Sequence, residues 1–279
     1  MFKTLREKIK RLPLVGQPMY RCYMSLRYND GEVFTIEGGP LKGTRMHRFV
    51  RTFFPTQKSG DYELEVQQAL LRELSPGDTL FDVGANGGFF SILGAKIVGD
   101  TGRVVGFEAH PETAHQCRQQ LKLNQLHRAT VIEAAICDRS GTITFSDGSN
   151  SFNRHVVDDA AKEPVVHVKA ITLDEAAQLY GVPDVIKMDI EGAELRALQG
   201  AQRLLREHRP TIIIEIHGLD LVQQILPLLK GYGYDIIDVT ENEDDTFRKY
   251  IARAAAEPDR AAQQDALQEP HFAPGGQRL

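Results

Sequence analysis

The sequence predicts an α/β fold in which helices cover both faces of a doubly wound, mostly parallel sheet. Short apolar segments typical of strands alternate along the chain with helical segments of about 10 to 15 residues. A glycine-rich turn joins the first core strand to the helix after it, and acidic residues stand at the ends of several strands. Ligands bind beyond the carboxyl ends of the strands in such sheets, so those acidic residues are the candidate functional residues.

The pattern along the chain divides it into three regions. Residues 1–60 are interpreted as an N-terminal cap, with a basic amphipathic helix in residues 1–11 and a β-hairpin over residues 32–50. That helix is expected to pack one face on the domain, and a membrane-surface or partner contact is the alternative. Residues 61–252 form the core domain, and residues 253–279, rich in Ala, Gln, Pro and Gly, are expected to be a disordered tail.

The core elements follow from apolar periodicity and turn residues. A helix over residues 62–74 precedes the first core strand, which leads into the glycine-rich turn and its helix. Later strands are predicted at residues 103–108, 130–133, 142–145, 165–169, 184–189, 211–216 and 235–239, and later helices at residues 111–124, 193–207 and 219–229. The polar residues 146–163 are interpreted as a mobile loop near the substrate.

Composition indicates a globular protein without a membrane span. The chain has 279 residues, 42% of them hydrophobic, which is enough for a sizeable core. No apolar run reaches about 18 residues and no secretory signal is evident, so cytoplasmic residence is expected. The net charge of −5 argues against general nucleic-acid binding. Three widely spaced cysteines indicate neither a disulfide framework nor a structural zinc site.

The glycine-rich turn is the most informative motif. Gly84 and Gly87 allow a tight turn between an apolar strand and a helix, as in nucleotide-cofactor sites. A dinucleotide site would carry a glycine where Asn86 stands, and Asp82 at the strand end would repel a pyrophosphate. An acid there suits a cofactor with positive charge, which favours S-adenosylmethionine (SAM). Asp82 as a mere helix cap is the structural alternative.

A second acidic residue supports the same interpretation. Glu108 ends the next apolar strand, 24 residues after Gly84. Nucleotide-binding α/β folds place an acid about 20 residues beyond the glycine turn, where its carboxylate binds ribose hydroxyls. The pair of acids therefore predicts an adenosyl cofactor, although a solvated strand end would also explain Glu108.

Two further strand ends carry candidate chemistry. Asp189 and Glu191 follow one buried strand, and Glu215 and His217 end its neighbour. Side chains alternate along a strand, so these groups are expected to converge beside the cofactor. Asp189, Glu215 and His217 could bind a divalent metal that orients a substrate hydroxyl. Alternatively, His217 is a general base and Glu191 or Asp189 orients the acceptor, or these acids form internal ion pairs with Lys187.

These motifs together resemble those of the FkbM family of SAM-dependent methyltransferases. The resemblance covers roughly residues 37–240 and is carried by Asp82-Val-Gly-Ala-Asn-x-Gly, Phe107-Glu108-x-x-Pro111, Lys187-x-Asp189-x-Glu191-Gly192-x-Glu194 and Glu215-x-His217. It implies a seven-stranded Rossmann-like sheet and O-methylation, often of sugar or secondary-metabolite hydroxyls. Upstream, Gly60-x-Tyr62-Glu63 also resembles the family, which implies that Tyr62 and Glu63 close over the cofactor.

The expected function is therefore SAM-dependent O-methylation of a small-molecule acceptor. Residues expected to hold SAM are Asp82, Gly84, Asn86, Gly87 and Glu108, with Asp138 in the segment from residue 134 that borders the adenine. Methyl transfer needs chiefly proximity, a dry site and a base. An NAD-dependent oxidoreductase is one rival, and a catalytically silent adapter that binds SAM is another.

Overall fold

A computed structural model describes residues 32–49, 54–146, 165–241 and 247–255. The predicted helix in residues 1–11, Cys22, nearly all of the predicted loop at residues 146–163, and the tail from residue 256 lie outside these residues. Among the residues that the structure describes, no helix combines the length and apolar character needed to cross a membrane.

Twelve strands are present in the described ranges. In chain order they are β1 (Val33–Thr35), β2 (Arg45–His47), β3 (Thr79–Val83), β4 (Arg103–Glu108), β5 (Ala129–Glu133), β6 (Ala135–Ile136), β7 (Gly141–Ser146), β8 (Val165–Ile171), β9 (Val185–Met188), β10 (Thr211–His217), β11 (Tyr234–Asp238) and β12 (Phe247–Ala254). The helices are α1 (Phe54–Ser59), α2 (Leu64–Glu73), α3 (Phe89–Val98), α4 (Pro111–Leu123), α5 (Leu173–Tyr180), α6 (Glu194–Gln199) and α7 (Leu219–Gly231).

Seven strands form the central sheet, in the order β11-β12-β10-β9-β3-β4-β5. Five neighbouring strands, from β10 to β5, are parallel, and β12 is antiparallel to both of its neighbours. The sheet thus confirms the predicted Rossmann-like, mostly parallel architecture. Two smaller sheets stand apart from it, the antiparallel pair β1-β2 and the three strands β6-β8-β7.

Two hydrophobic cores show that the sheet is doubly wound. Alternate residues of one strand point to opposite faces, so Phe81 packs in the core with α5, α6 and α7, while Leu80 packs in the core with α2, α3 and α4. Ile212 and Ile213 divide in the same way on β10. Burial of both faces explains why these strands are almost continuously apolar.

Helices α1 and α5 and the short strand β6 were not predicted, and two further segments also differ from the sequence prediction. The helix predicted over residues 193–207 is divided into α6 and a π-helical segment, Leu204–His208. Gly200 lies at the division, where an added Cβ would stand 2.3 Å from the Cys137 carbonyl oxygen. Strand β12 was not predicted, and it includes residues 253 and 254, which were assigned to the tail. Its pairing with β10 and β11 buries it at the centre of one half of the sheet.

Candidate active site

A cavity of about 680 Å³ opens at the carboxyl ends of the central strands. Residues after β3, β4 and β5 line one half of it, and residues after β9 and on β10 and β12 line the other. The parallel register brings these strand ends to one edge, because β3 pairs with both β4 and β9. The cavity therefore lies where the topology predicts a ligand.

The glycine turn forms the floor of the cavity between its two halves. Gly84 has a φ of +80°, and an added Cβ would lie 1.8 Å from the Asp189 carbonyl oxygen. Only glycine fits this close approach of two strand ends. Gly84 and Asn86 line the main cavity, and Gly87 lines a small cleft beside it. Asn86 has a left-handed φ of 46°, a conformation that asparagine tolerates better than most residues.

Glu108 is held at the rim of the cavity by backbone donors. The Asn86 N–H donates to its Oε2 at 2.9 Å, and the His110 N–H donates to its Oε1 at 2.9 Å. These bonds fix the carboxylate between the glycine turn and the start of α4 while it borders the cavity. The predicted ribose-binding residue is thus placed and oriented in the cavity.

Asp82, by contrast, lies beneath the turn. It is fully buried and is not among the residues that line the cavity. Its Oδ2 accepts a hydrogen bond of 2.6 Å from the Ser91 hydroxyl on α3, and its Oδ1 lies 3.7 Å from Lys187 Nζ. Lys187 lies 3.7 Å from Asp189 as well. Asp82 therefore supports the turn from behind.

Asp138 also stands apart from the cavity lining. Arg196 Nη2 lies 2.7 Å from its Oδ1, and the hydrogen bond from the Cys137 thiol together with Arg196 lowers the pKa of Asp138. The residues of this segment that do line the cavity are Ala134, Ala135 and Ile136, which offer an apolar surface instead of a carboxylate.

Tyr62 and Glu63 line the cavity from the segment before α2. The Tyr62 ring packs edge-on against Phe89, with ring centroids 5.2 Å apart, and burial raises the pKa of its hydroxyl well above the usual value. Glu63 has a left-handed φ of 45° and lies 3.4 Å from Lys249 Nζ. This segment thus reaches from the glycine-turn helix to β12.

His217 is the centre of a cluster of four carboxylates. Its Nδ1 lies 2.9 Å from Glu194 Oε1. Its Nε2 lies 3.4 Å from both Glu191 and Glu215 and 3.8 Å from Asp189. The structure therefore brings together all the strand-end groups that the sequence predicted to converge, and it adds Glu194, which the sequence analysis named only as the last residue of the motif that starts at Lys187.

The cluster changes the protonation of its members. Burial alone would lower the pKa of His217, but hydrogen bonds to Glu194 and Glu215 and the Asp189 charge raise it to about 11. Burial raises the pKa of Glu191 to about 7, although His217 opposes this shift. Burial also raises the pKa of Asp189, with Lys187 opposing. At neutral pH His217 is therefore an imidazolium held by carboxylates.

Lys249 is a further member of the site that the sequence did not indicate. It is 4% exposed and lies between three carboxylates, 3.4 Å from Glu63, 3.4 Å from Glu215 and in hydrogen-bonding contact with Glu65. These charges raise its pKa against the effect of burial. The residue sits on β12, the strand that was not predicted, so no local signal linked it to the cavity.

Asp189, Glu215 and His217 have a geometry that could hold a metal ion. One potential ligand atom from each residue lies within 4.8 Å of the others. Two carboxylates and an imidazole form a donor set that suits several divalent cations. These are the three residues that the sequence suggested for a metal.

Comparison with known proteins identifies relatives of this chain. The model of the methyltransferase FkbM domain family matches residues 82–236. The hexuronic acid methyltransferase AglP of Haloferax volcanii is 32% identical over 164 residues, which cover 57% of this chain and 64% of that protein. The match thus spans slightly less than two thirds of that relative's length.

Two further proteins whose names include FkbM are also similar to this chain. The 31-O-demethyl-FK506 methyltransferase FkbM of Streptomyces tacrolimicus is 24% identical over 198 residues, which cover 59% of this chain and 75% of that protein. A crystal structure of a methyltransferase FkbM from Methylobacillus flagellatus has 22% identity and a TM-score of 0.47, and the alignment covers 64% of this chain and 44% of that one.

Proposed function

The chain belongs to the methyltransferase FkbM domain family, and on this premise we propose that it is a SAM-dependent methyltransferase that methylates a hydroxyl oxygen of a sugar or secondary metabolite. The names of two relatives support this acceptor class, since one denotes a hexuronic acid methyltransferase and the other a 31-O-demethyl-FK506 methyltransferase. The observation that carries the proposal is one continuous cavity that joins the glycine turn to the His217 cluster.

SAM is proposed to bind over the glycine turn. Gly84 leaves the space that a Cβ would fill, and the oriented Glu108 carboxylate suits the two ribose hydroxyls. The apolar residues 134–136 would face the adenine. Asn86 would contact the cofactor at the turn. For Asp82 we propose an indirect role, because it contacts Ser91 and Lys187 beneath the turn.

Three more residues are proposed to complete the cofactor site directly, and Asp138 is proposed to contribute indirectly. Tyr62 and Glu63 line the cavity and would cover the bound cofactor, as expected from the sequence. Gly87 would let the chain enter α3 beside the cofactor. Asp138 is paired with Arg196, so it would not contact the cofactor itself. It would affect binding only through residues 134–136, which precede it and line the cavity. Enclosure of the cofactor in this way excludes water from the transfer.

The His217 half of the cavity is proposed to bind the acceptor. SAM held over the glycine turn would supply a methyl group on a sulfonium, and transfer of that group to the acceptor oxygen would leave the electron pair of the broken S–C bond on sulfur. The hydroxyl proton must then leave. Asp189 and Glu191 line this half and can accept it, while His217 holds these carboxylates in place. His217 itself could act as the base only after losing its own proton.

A divalent metal at Asp189, Glu215 and His217 is the alternative for the same cluster. Metal ligands must be deprotonated, so a metal on His217 would displace the imidazole proton and release it. The ion would orient the acceptor hydroxyl and lower its pKa. Calorimetric titration with Mg²⁺ in two buffers of different ionisation enthalpy would count the released protons and decide between a proton and a metal at this position.

Calorimetric titration with SAM, S-adenosylhomocysteine and NAD tests the cofactor proposal. Both adenosyl ligands should bind, and Glu108→Ala should raise their dissociation constants about 10- to 100-fold, because charge-assisted hydrogen bonds to the ribose are lost. Glu207→Ala, an exposed acid outside the cavity, is the control and should change nothing. If the Glu108 variant binds the adenosyl ligands with the same affinity as the wild type, Glu108 does not contact the cofactor.

The same titration, together with an assay of methyl transfer, separates the rival functions. Binding of NAD without either adenosyl ligand would support an oxidoreductase. Binding of SAM without methyl transfer to any hydroxyl compound offered would support a silent adapter. Transfer to a sugar or to a hydroxylated secondary metabolite, detected as S-adenosylhomocysteine formation, would establish the acceptor class.

A further inference from the structure

The hairpin β1-β2 is held against helix α4 by two side-chain amides. Gln120 is fully buried, and its Oε1 accepts a hydrogen bond of 2.8 Å from the His47 N–H while its Nε2 donates to the His47 carbonyl oxygen at 2.8 Å. Asn124 makes the same pair of bonds with Arg45, at 3.3 and 2.8 Å. Four residues of a helix rise about 6 Å and two residues of a strand about 6.7 Å. The two amides therefore match the spacing of β2 and bond its edge as a neighbouring strand would.

The turn of this hairpin interlocks with the segment that precedes α2. Gly60 has a φ of +89°, and an added Cβ there would lie 2.1 Å from the Gly38 carbonyl oxygen. A Cβ added to Gly39 would lie 2.3 Å from the Gly60 carbonyl oxygen. The Glu37 N–H also donates to the Lys58 carbonyl oxygen at 2.8 Å. Because the two backbones touch directly, a shift of the hairpin must move the chain at Gly60.

Gln67 joins Gly60 to Tyr62. It is fully buried on α2, and its Nε2 donates to the carbonyl oxygens of Gly60 and Tyr62 at 3.2 and 2.6 Å. The Tyr62 ring contacts Phe89 and Phe90, with ring centroids 5.2 and 5.8 Å apart. Phe89 is the first residue of α3, the helix after the glycine turn. The position of the Tyr62 ring beside that turn thus depends on its own backbone and on two packed rings.

Helix α4 supports both this arrangement and Glu108. It begins at Pro111, directly after His110, whose N–H donates to the Glu108 carboxylate. Gln120 and Asn124 lie towards its other end, in a helix of 13 residues that is about 20 Å long. One helix therefore carries the donor that orients the proposed ribose ligand and the amides that anchor the hairpin.

We propose that Gln120 and Asn124 are positioning residues of the cofactor site, which act through the hairpin β1-β2 and Gly60 to hold the Tyr62 ring over bound SAM. This role rests on the proposed function and gives the N-terminal hairpin a part in cofactor binding. A ring that is already in place before binding costs less conformational entropy in the complex. Loosening the hairpin should therefore weaken binding of an adenosyl ligand, although neither amide side chain lines the cavity.

Gln120→Met removes both amide hydrogen bonds and keeps a side chain of similar length and helix preference. Calorimetric titration with S-adenosylhomocysteine should show its dissociation constant raised about 3- to 10-fold, the cost of ordering one side chain on binding. The titration is made at a temperature where circular dichroism shows the variant to be folded. Gln119→Met, at an exposed glutamine of the same helix, is the matched control and should bind as the wild type does.

A double-mutant cycle with Tyr62→Ala distinguishes positioning of the ring from a general loss of stability. If the hairpin acts through the ring, Gln120→Met should weaken binding in the wild type and change the affinity of the Tyr62→Ala variant by less than about twofold. A loss of affinity that came from partial unfolding would instead be the same in both backgrounds.

Asn124→Ala provides a milder change at the same interface. Asn124 is only partly buried, so its replacement perturbs the core less than a change at Gln120. The variant should raise the dissociation constant of S-adenosylhomocysteine in the wild type and leave it unchanged in the Tyr62→Ala background. It decides the question if Gln120→Met does not fold.

The outcomes separate this role of the hairpin from the proposed function. If the wild-type chain does not bind S-adenosylhomocysteine, the proposed function fails. If the wild type binds it and the folded amide variants bind it equally well, the cofactor assignment stands and the positioning role is overturned. Equal losses of affinity with and without the Tyr62 ring would overturn that role as well.

Discussion

The charge of a side chain at this site is decided by neighbours that are distant in sequence. His217 was predicted as a general base, and its pKa in isolation would suit that role. In the folded chain both ring nitrogens face carboxylates, and its pKa rises to about 11. At neutral pH it acts as a fixed cation that keeps Asp189, Glu191 and Glu215 close together despite their mutual repulsion.

Replacement of this cation should impair transfer and leave cofactor binding intact. In His217→Ala the carboxylates lose their common partner and move apart, so we expect kcat to fall about 100-fold or more, with little change in the dissociation constant of S-adenosylhomocysteine. Calorimetry and a coupled assay of S-adenosylhomocysteine formation measure the two effects. His127→Ala, an exposed histidine on the loop before β5, is the control. If kcat is unchanged in the His217 variant, His217 does not contribute to methyl transfer.

Two acids with the same sequence signal differ in their structural position. Asp82 and Glu108 both end an apolar strand, and both were predicted to bind the cofactor. Glu108 borders the cavity, but Asp82 pairs in register with Lys187 of the neighbouring strand and is buried beneath the turn. That pairing joins residues more than a hundred positions apart, so the local pattern could predict the strand end and not its partner.

Among the elements, the glycine turn is the junction on which the cavity depends. Gly84 has a φ of +80° with the Asp189 carbonyl immediately beside it. Gly43 has a similar φ of +84°, but an added Cβ there would meet no atom within 4 Å. The two positions thus share a backbone conformation and differ in the close approach of a second strand.

A pair of alanine substitutions separates these two effects. Gly43→Ala should lower the free energy of unfolding by about 1–2 kcal/mol, the cost of a left-handed conformation. Gly84→Ala should lower it by about 1–3 kcal/mol more, because the methyl group must push the Asp189 carbonyl away, and it should also weaken SAM binding. Urea unfolding and calorimetry give both quantities. An equal loss of stability in the two variants would show that the turn relaxes without moving β9.

The elements that the sequence predicted well are those with a continuous periodic signal. Strands β4 and β10 and helix α4 appear within two residues of their predicted limits, because apolar runs and Pro111 mark them. Strand β12 carries Arg and Lys among its apolar residues, and its burial comes from pairing with β10 and β11 on both sides. Such a pairing is a property of the sheet and leaves no distinct local pattern.

At the scale of the whole molecule, the central sheet brings together a cluster of charged side chains from segments that are far apart in the sequence. Glu63 and Glu65 come from the start of α2, Asp189 and Glu191 from the segment after β9, and Lys249 from the last strand, β12. Folding brings them within ion-pair distance and removes them partly from water. The stability of the chain must therefore depend on pH through this cluster.

The sign of that dependence follows from two pKa shifts. His217 rises from 6.5 to about 11 and Glu191 from 4.5 to about 7. Between pH 7 and 9 the folded chain therefore binds more protons than the unfolded chain, chiefly on His217. The stabilisation linked to His217 is complete below pH 6.5 and is lost as the pH rises towards 11. Stability should thus fall with rising pH, at no more than about 1.4 kcal/mol per pH unit for one group.

Urea unfolding at pH 7, 8 and 9 in EDTA tests this dependence. The wild-type free energy of unfolding should fall by about 1–2 kcal/mol over this range. His217→Gln cannot titrate, so its loss should be clearly smaller, although its stability at pH 7 is lower because four carboxylates lose their cation. His127→Gln, with an exposed side chain, should follow the wild type. If the His217 variant shows the same slope as the wild type, the imidazole is not protonated in the folded chain, and a general base with an ordinary pKa would then be the better description of this residue.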